Sequence, residues 1–264
     1  MIDEVTILPG LDKDGRPEDF EYISLRMGEA VSIVGPTGSG KTALITDLEL
    51  LAQGDTATKR RVLINGGPPS EEMRHNPLLK PVAMITQNTK CFTDLTVEEF
   101  LRIHARARGI DAGEAVGRTI ALANKFTGEK IAGGARVTVL SGGQTRALLI
   151  ADALLIGAAP IILLDEIENA GIFKQEVVGI IRDLGKIVVF VTHDPVIALL
   201  TGMRIIMENG AVKKVIVRNE AETGVVQNLI AHDRRMGLIR ERLRAGQVIT
   251  SEESVGPEPE VALA

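Results

Sequence analysis

Gly35-Pro36-Thr37-Gly38-Ser39-Gly40-Lys41-Thr42 is the stretch whose reading decides the fold. It fits the pattern G-x-x-x-x-G-K-[S/T] at every fixed position, and its neighbours are the ones that pattern needs. Ala30-Val31-Ser32-Ile33-Val34 precedes it, apolar with little alternation, as in a strand buried on both faces. A helix is predicted after it, over about residues 42–52. The glycines let the backbone wrap round a phosphate so that several N–H groups converge on it, and the positive end of the helix adds a favourable field. Lys41 is expected to reach the β- and γ-phosphates of a nucleotide, and the Thr42 hydroxyl to hold Mg²⁺.

Working outward, a second apolar run, Ile161-Ile162-Leu163-Leu164, ends on Asp165 and Glu166. Carboxylates at the C-terminal end of a buried strand lie in the crevice where open α/β sheets bind ligands. Asp165 suits a Mg²⁺ contact, direct or through water, and Glu166 suits the orientation of an attacking water. Further strands are predicted at residues 61–64, 82–86 and 187–191, and a hairpin at 204–217 about the turn Asn209-Gly210. Residues 5–8 and 22–25 read as edge strands around the polar turn 12–18.

Between about residues 95 and 155 the pattern becomes helical. Thr96 caps the first of three helices with Glu99 three residues on, Asp111 starts the second, and the third follows Leu140-Ser141-Gly142-Gly143-Gln144. This rhythm predicts an α/β fold of the P-loop NTPase class, with a mainly parallel sheet, an N-terminal antiparallel portion and an inserted helical subdomain. The expected divisions are a core of residues 1–94 and 159–217, a helical subdomain of 95–158, a helical extension of 218–249 and a mobile tail of 250–264. In the extension, Val226, Leu229, Ile230, Met236, Ile239 and Leu243 form the apolar set of an amphipathic helix.

Composition bounds the function. The 264 residues are 45% hydrophobic and 25% charged, enough for a sizeable core built from aliphatic rather than aromatic side chains, since aromatics make up 3%. A net charge of -5 recruits no polyanion, and no nucleic-acid contact is expected. The basic clusters Lys59-Arg60-Arg61 and 234–244 read as solvated surface. A single cysteine, Cys91, leaves no intrachain disulfide and fits a reducing, cytoplasmic setting. The longest apolar run, residues 147–162, is broken by Asp152 and Pro160 and falls short of the roughly 18 residues a membrane span needs. The start, MIDEVTILPG, has no signal-like apolar run. Any place at the inner face of the cell membrane would come through partners.

Leu140-Ser141-Gly142-Gly143-Gln144, lying between the phosphate loop and the acidic strand, resembles the signature motif of ATP-binding-cassette (ABC) ATPases. Gln87, after the strand at 82–86, resembles their Q-loop glutamine, and His193, after the strand at 187–191, their switch histidine. All five elements occur in the family's order over about residues 1–217. The resemblance implies hydrolysis of ATP with Mg²⁺ to ADP and phosphate by two domains facing head to tail. ATP on Lys41 and Thr42 of one subunit would be covered by Ser141, Gly142, Gly143 and Gln144 of the other. Gln87 would sense Mg²⁺ or the lytic water, and His193 would contact the γ-phosphate and keep Glu166 in register.

Three departures from the family pattern stand out. Residues 167–172 read Ile-Glu-Asn-Ala-Gly-Ile where a Pro-Thr-Ser-Ala-Leu-Asp-like segment is usual. The turn 12–18 offers no aromatic side chain to stack on adenine, Phe20 and Tyr22 reading as core. Asp152 stands where a basic residue is common. The resemblance implies a partner that the ATPase drives. A transporter whose membrane subunits are separate chains comes first, with residues 92–97 resembling the region where such subunits dock. A soluble ATPase that remodels a protein complex, as in metallocofactor assembly, is the alternative. A nucleic-acid-associated ATPase comes last.

Overall fold

The computed structural model describes residues 2–91, 93–167 and 174–249, and the chain divides into two units, residues 1–217 and 218–264. The first unit opens with β1 (Glu4–Leu8), β2 (Ile23–Arg26), β3 (Ala30–Val34), α1 (Lys41–Glu49), β4 (Arg61–Ile64), α2 (Glu71–His75) and β5 (Val82–Thr86). Three helices follow: α3 (Val97–Ala107), α4 (Ala112–Phe126) and α5 (Gly142–Leu155). It closes with β6 (Ile161–Asp165), α6 (Lys174–Asp183), β7 (Ile187–Val191), α7 (Pro195–Leu200), β8 (Met203–Glu208) and β9 (Ala211–Val217). In the second unit, α8 spans Glu220–Arg244. The proposed tail, 250–264, lies outside the described residues.

Six strands form a sheet in the order β5-β6-β7-β3-β8-β9, parallel except for the β8–β9 hairpin. Its central strands are buried on both faces because both are covered, which is why they read as unbroken apolar runs. Ile161 and Leu163 of β6, with Val189 of β7, join Leu44, Ile45 and Leu48 of α1 in one cluster. Ile162 and Leu164, with Val188 and Phe190, face the other side and join residues of α3, α4, α5, α6 and α7. The expected α/β architecture is thus present, with α3 to α5 inserted between β5 and β6.

The N-terminal region differs from the expectation in two respects: Tyr22, read as core, is exposed just before β2, and the strand pairing is not that of two edges. β1 is the centre of its own antiparallel sheet, β2-β1-β4, with Val5 paired to Leu25 on one side and to Ile64 on the other. Val5 and Ile7 are fully buried while Glu4, Thr6 and Leu8 are half-buried, so β1 has one core face and needs neighbours on both edges. The strand at 61–64 supplies the second neighbour. Helix α2 was not expected from the sequence. It has no buried residue, hence no apolar period to read, and it begins where the Ser70 hydroxyl accepts the Met73 amide at 3.1 Å.

Arg60 also departs from its reading as solvated surface. It is fully buried at the head of β4, where its guanidinium donates to both oxygens of Glu18 (2.7 and 2.6 Å), to Asp47 of α1 (3.1 Å) and to the carbonyl of Gly210 (2.6 Å). Glu18 accepts in addition from the amides of Gly10 and Val212, and Asp47 from the Thr58 hydroxyl. Burial alone would lower the guanidinium's pKa, but the bonds and charge of Glu18, then of Asp47, hold it above its ordinary value. One side chain therefore ties together the turn 12–18, helix α1 and the β8–β9 hairpin. Replacing it would leave two carboxylates buried without a cation, a loss of about 3–5 kcal/mol. We expect Arg60→Met to lower the unfolding free energy obtained from urea titration by that amount, and a loss below about 1 kcal/mol would show that the network carries no such weight.

Candidate nucleotide site

Register fixes where the chemistry gathers. Thr86 of β5 pairs with Asp165 of β6, Asp165 with Val191 of β7, and Ile33 of β3 with Val191. Gln87, Glu166, His193 and Gly35 follow this row by one or two residues, so four segments distant in sequence leave the sheet at one edge. That edge is the C-terminal end of the parallel strands, where a doubly covered sheet leaves a crevice.

The loop 35–42 reaches α1 by a conformation open to glycine. Gly40 has φ of +102°, and a Cβ added there would lie 2.7 Å from the Cα of Gly210. At Gly35 a Cβ would meet the carbonyl of Met207 at 2.5 Å and the Ser39 hydroxyl at 2.6 Å. The Ser39 carbonyl accepts the Gly210 amide at 2.8 Å, so the β8–β9 turn buttresses the loop. Lys41 is buried, its ammonium donating to the carbonyls of Gly35 (2.9 Å) and Pro36 (3.1 Å). An ammonium has three donors, which leaves one for a ligand oxygen. The Ser39 hydroxyl is buried with no hydrogen-bond partner, an orphan group inside a cradle of amides that a phosphate oxygen would satisfy. Pro36, Thr37, Gly38 and Thr42 are exposed at the mouth. Residues 35–42 therefore fit a polyphosphate.

Glu166 and His193 come together: His193 Nε2 is 3.6 Å from Glu166 Oε1. Glu166 holds φ of +50°, unusual for a residue with a side chain, and its amide donates to the Val191 carbonyl at 2.9 Å. Strain of this kind persists where surrounding structure over-determines it, and here it turns the carboxylate off the end of β6 toward the histidine. Among the described residues no cluster of three His, Cys, Asp or Glu side chains could hold a metal by itself. The oxygen donors at this edge, from Thr42, Asp165 and Gln87, suit Mg²⁺, which commonly takes one or two carboxylates and completes its shell with phosphate and water.

The motif 140–144 forms the start of α5. The Ser141 hydroxyl accepts the Gln144 amide (3.2 Å) while Gln144 Oε1 accepts the Ser141 amide (2.9 Å), a reciprocal cap. Gln144 also donates to the Lys130 carbonyl at 3.2 Å. Ser141 and Gly142 are exposed, and among the described residues no hydrogen bond joins 140–144 to 35–42. The loop 35–42 and the N-terminus of α5 thus stand as two segments of one chain that do not bond to each other. Two contacts escaped the sequence reading: Lys13 donates to the carbonyl of Gly38, and Arg146 of α5 donates to the carbonyl of Gln87. Neither residue lies in a motif. The variant segment at 168–172 lies outside the described residues.

The family model described as "ABC transporter" matches residues 22–169. The chain belongs to the ABC transporter ATP-binding family. As an ABC ATPase it binds ATP and hydrolyses it. An ABC transporter ATP-binding protein of Methanocaldococcus jannaschii is 46% identical over 252 residues, covering 96% of this chain and 97% of its own. The thiamine import ATP-binding protein ThiQ of Brucella abortus is 31% identical over 198 residues, 72% of this chain and 78% of that one. Two solved structures show the same fold. An ATP-binding cassette described as a dimer in a post-hydrolysis state, bound to ADP and Pi, has a TM-score of 0.62 at 22% identity, covering 81% of this chain and 99% of that one. CbiO1 of Clostridium perfringens, part of the ABC transporter complex cbiONQ, has a TM-score of 0.65 at 21% identity, covering 90% of this chain and 99% of that one.

In this ABC protein a groove of about 340 Å³ lies away from the phosphate loop, between β5, α3 and α5. Ala83, Ile85 and Leu149 line it, together with Arg108 and the pair His104–Asp152, whose imidazole Nδ1 is 2.8 Å from both carboxylate oxygens. Asp152, unusual for the family at its position, therefore joins α5 to α3. We propose Lys41, whose ammonium lies on the carbonyls of Gly35 and Pro36, as the cation that meets the phosphates. We expect Lys41→Ala to weaken ATP binding about ten- to a hundredfold, as removal of a charge-assisted hydrogen bond does, in a titration with a fluorescent ATP analogue. Unchanged affinity would contradict that assignment.

Proposed function

We propose that the chain is the nucleotide-binding subunit of an ABC transporter, working as a head-to-tail homodimer that sandwiches two Mg-ATP. The observation that supports the reading is that, among the described residues, no hydrogen bond joins the loop 35–42 to the N-terminus of α5, which leaves both open to a ligand. Residues 35–42 offer amides, a buried hydroxyl and the Lys41 ammonium. The start of α5 offers the N–H groups of a helix N-terminus and the Ser141 O–H, whose oxygen already accepts the Gln144 amide. A second copy turned through a two-fold axis brings the 140–144 surface of each subunit over the 35–42 surface of the other.

In this arrangement Lys41 and the loop amides hold the β- and γ-phosphates, and Ser141 and Gly143 close on the γ-phosphate from the far side. Thr42, Gln87 and Asp165 hold Mg²⁺, which neutralises phosphate charge when bound. Glu166 accepts a hydrogen bond from the attacking water and aims it in line with the leaving oxygen. His193 keeps the Glu166 carboxylate from swinging away and donates toward the γ-phosphate. Hydrolysis breaks the bond between the β- and γ-phosphates, and departure of the inorganic phosphate takes away the charge that holds the two subunits together, so they part.

Separate membrane subunits are the proposed load. No described helix is long and apolar enough to cross a membrane, and the curated relatives include a thiamine importer's ATP-binding protein. The groove between β5, α3 and α5 would take a short segment of such a subunit. The Arg146 bond to the Gln87 carbonyl would carry movement of that segment to the nucleotide. The chain would then work at the cytoplasmic face of a membrane. The residue divisions 1–94 with 159–217 for the core and 95–158 for the helical part describe the two bodies that would move. A change of Glu166→Gln removes the carboxylate but keeps the shape. It should lower kcat by at least about a hundredfold and yield an ATP-dependent dimer in analytical ultracentrifugation. Full turnover, or a monomer at saturating Mg-ATP, would contradict the proposal.

A further inference from the structure

Lys13 is held at the mouth of the phosphate loop by bonds that do not involve its charge. Its amide donates to the Asn209 carbonyl at 3.1 Å, and the backbone of Gly210 comes so close that a Cβ there would lie 2.9 Å from Lys13 N and 2.7 Å from its Cγ. The turn itself is closed by Asp12, whose carboxylate accepts the amides of Asp14 and Arg16 at 2.8 Å each, and by Asp14, which accepts the Asn209 side-chain amide at 3.0 Å. Buried Glu18 anchors its far end to Arg60. The turn needs no help from the lysine ammonium to stay where it is, and one exposed hydrogen bond to a carbonyl adds little to its stability.

The ammonium nevertheless donates to the carbonyl of Gly38, in the crest of the loop. Among the described residues that is its one partner, and the residue is exposed, so two of its three donors face solvent beside the loop. The nearby carboxylates have other partners: Asp12 the turn amides, Asp14 the Asn209 amide and Arg16. No aromatic residue occurs between residues 12 and 18, so the turn offers a nucleotide a charge and no ring.

We propose that Lys13 is a second cationic contact for the phosphate chain of the bound nucleotide, supplying affinity that does not depend on the base. The inference rests on the reading of residues 35–42 as the nucleotide site and adds a residue from outside every motif. Two variants separate charge from bracing. Lys13→Gln keeps a donor for the Gly38 carbonyl and removes the charge, whereas Lys13→Arg keeps both.

The test is the dissociation constant of the full chain for ATP, GTP and AMP, measured by calorimetry with each variant. We expect Lys13→Gln to weaken ATP and GTP alike by about tenfold and AMP by less than about twofold. Lys13→Arg should stay within about threefold of the parent chain for all three. Lys13→Gln binding ATP like the parent would show a brace and overturn the inference. A loss for ATP but not GTP would show a base contact and overturn it too, as would Lys13→Arg binding as weakly as Lys13→Gln. A parent chain that binds no ATP would overturn the reading of the site itself, an outcome distinct from all of these.

Discussion

The structure depends on one close approach, that of Gly40 in the phosphate loop to Gly210 in the β8–β9 turn. No side chain fits between them, and the Gly210 amide is bonded to the Ser39 carbonyl. A flexible glycine loop would lose conformational entropy on gripping a phosphate. Pressed against a hairpin, it has less of that entropy left to lose. The hairpin is in turn fixed from beneath by Arg60, which bonds the Gly210 carbonyl while pairing with Glu18 and Asp47. A buried ion cluster of this kind contributes less to net stability than to defining one arrangement, because separating any partner is so unfavourable.

The rest of the site follows from the sheet. Parallel strands in register deliver Gln87, Glu166, His193 and Gly35 to the same edge, and crossover helices on both faces leave that edge open. The cost of building the carboxylate into the end of β6 is local: Glu166 adopts a left-handed backbone and is held there by the Val191 carbonyl. The signature segment is on the helical insertion, with its cap complete and Ser141 and Gly142 exposed. The ABC family match covers both segments, residues 35–42 and 140–144.

Much of this was legible in the sequence, for physical reasons. β3, β5, β6 and β7 are unbroken apolar runs with turn residues at their ends, and the structure has them over residues 30–34, 82–86, 161–165 and 187–191. The Thr96 and Ser141 caps could be read because capping chemistry is local, needing only a partner three residues on. What could not be read is non-local. Arg60 looks like any lysine- and arginine-rich turn until Glu18 and Asp47 are brought round it. Lys13 looks like a solvated charge until the Asn209–Gly210 turn places it on the loop. β1 reads as an edge because the partners of Val5, Leu25 and Ile64, are 20 and 59 residues away in sequence and leave no mark on its own five residues. Asp152 reads as an anomaly until His104 appears beside it.

The central claim is that ATP is held between the loop of one subunit and the helix cap of another. It can be tested by disulfide trapping in a Cys91→Ser chain, mixing copies carrying Thr37→Cys with copies carrying Gly142→Cys. With Mg²⁺ and a non-hydrolysable ATP analogue, oxidation should link unlike copies and do so only when nucleotide is present. Links between like copies alone, or none under saturating nucleotide, would contradict the account.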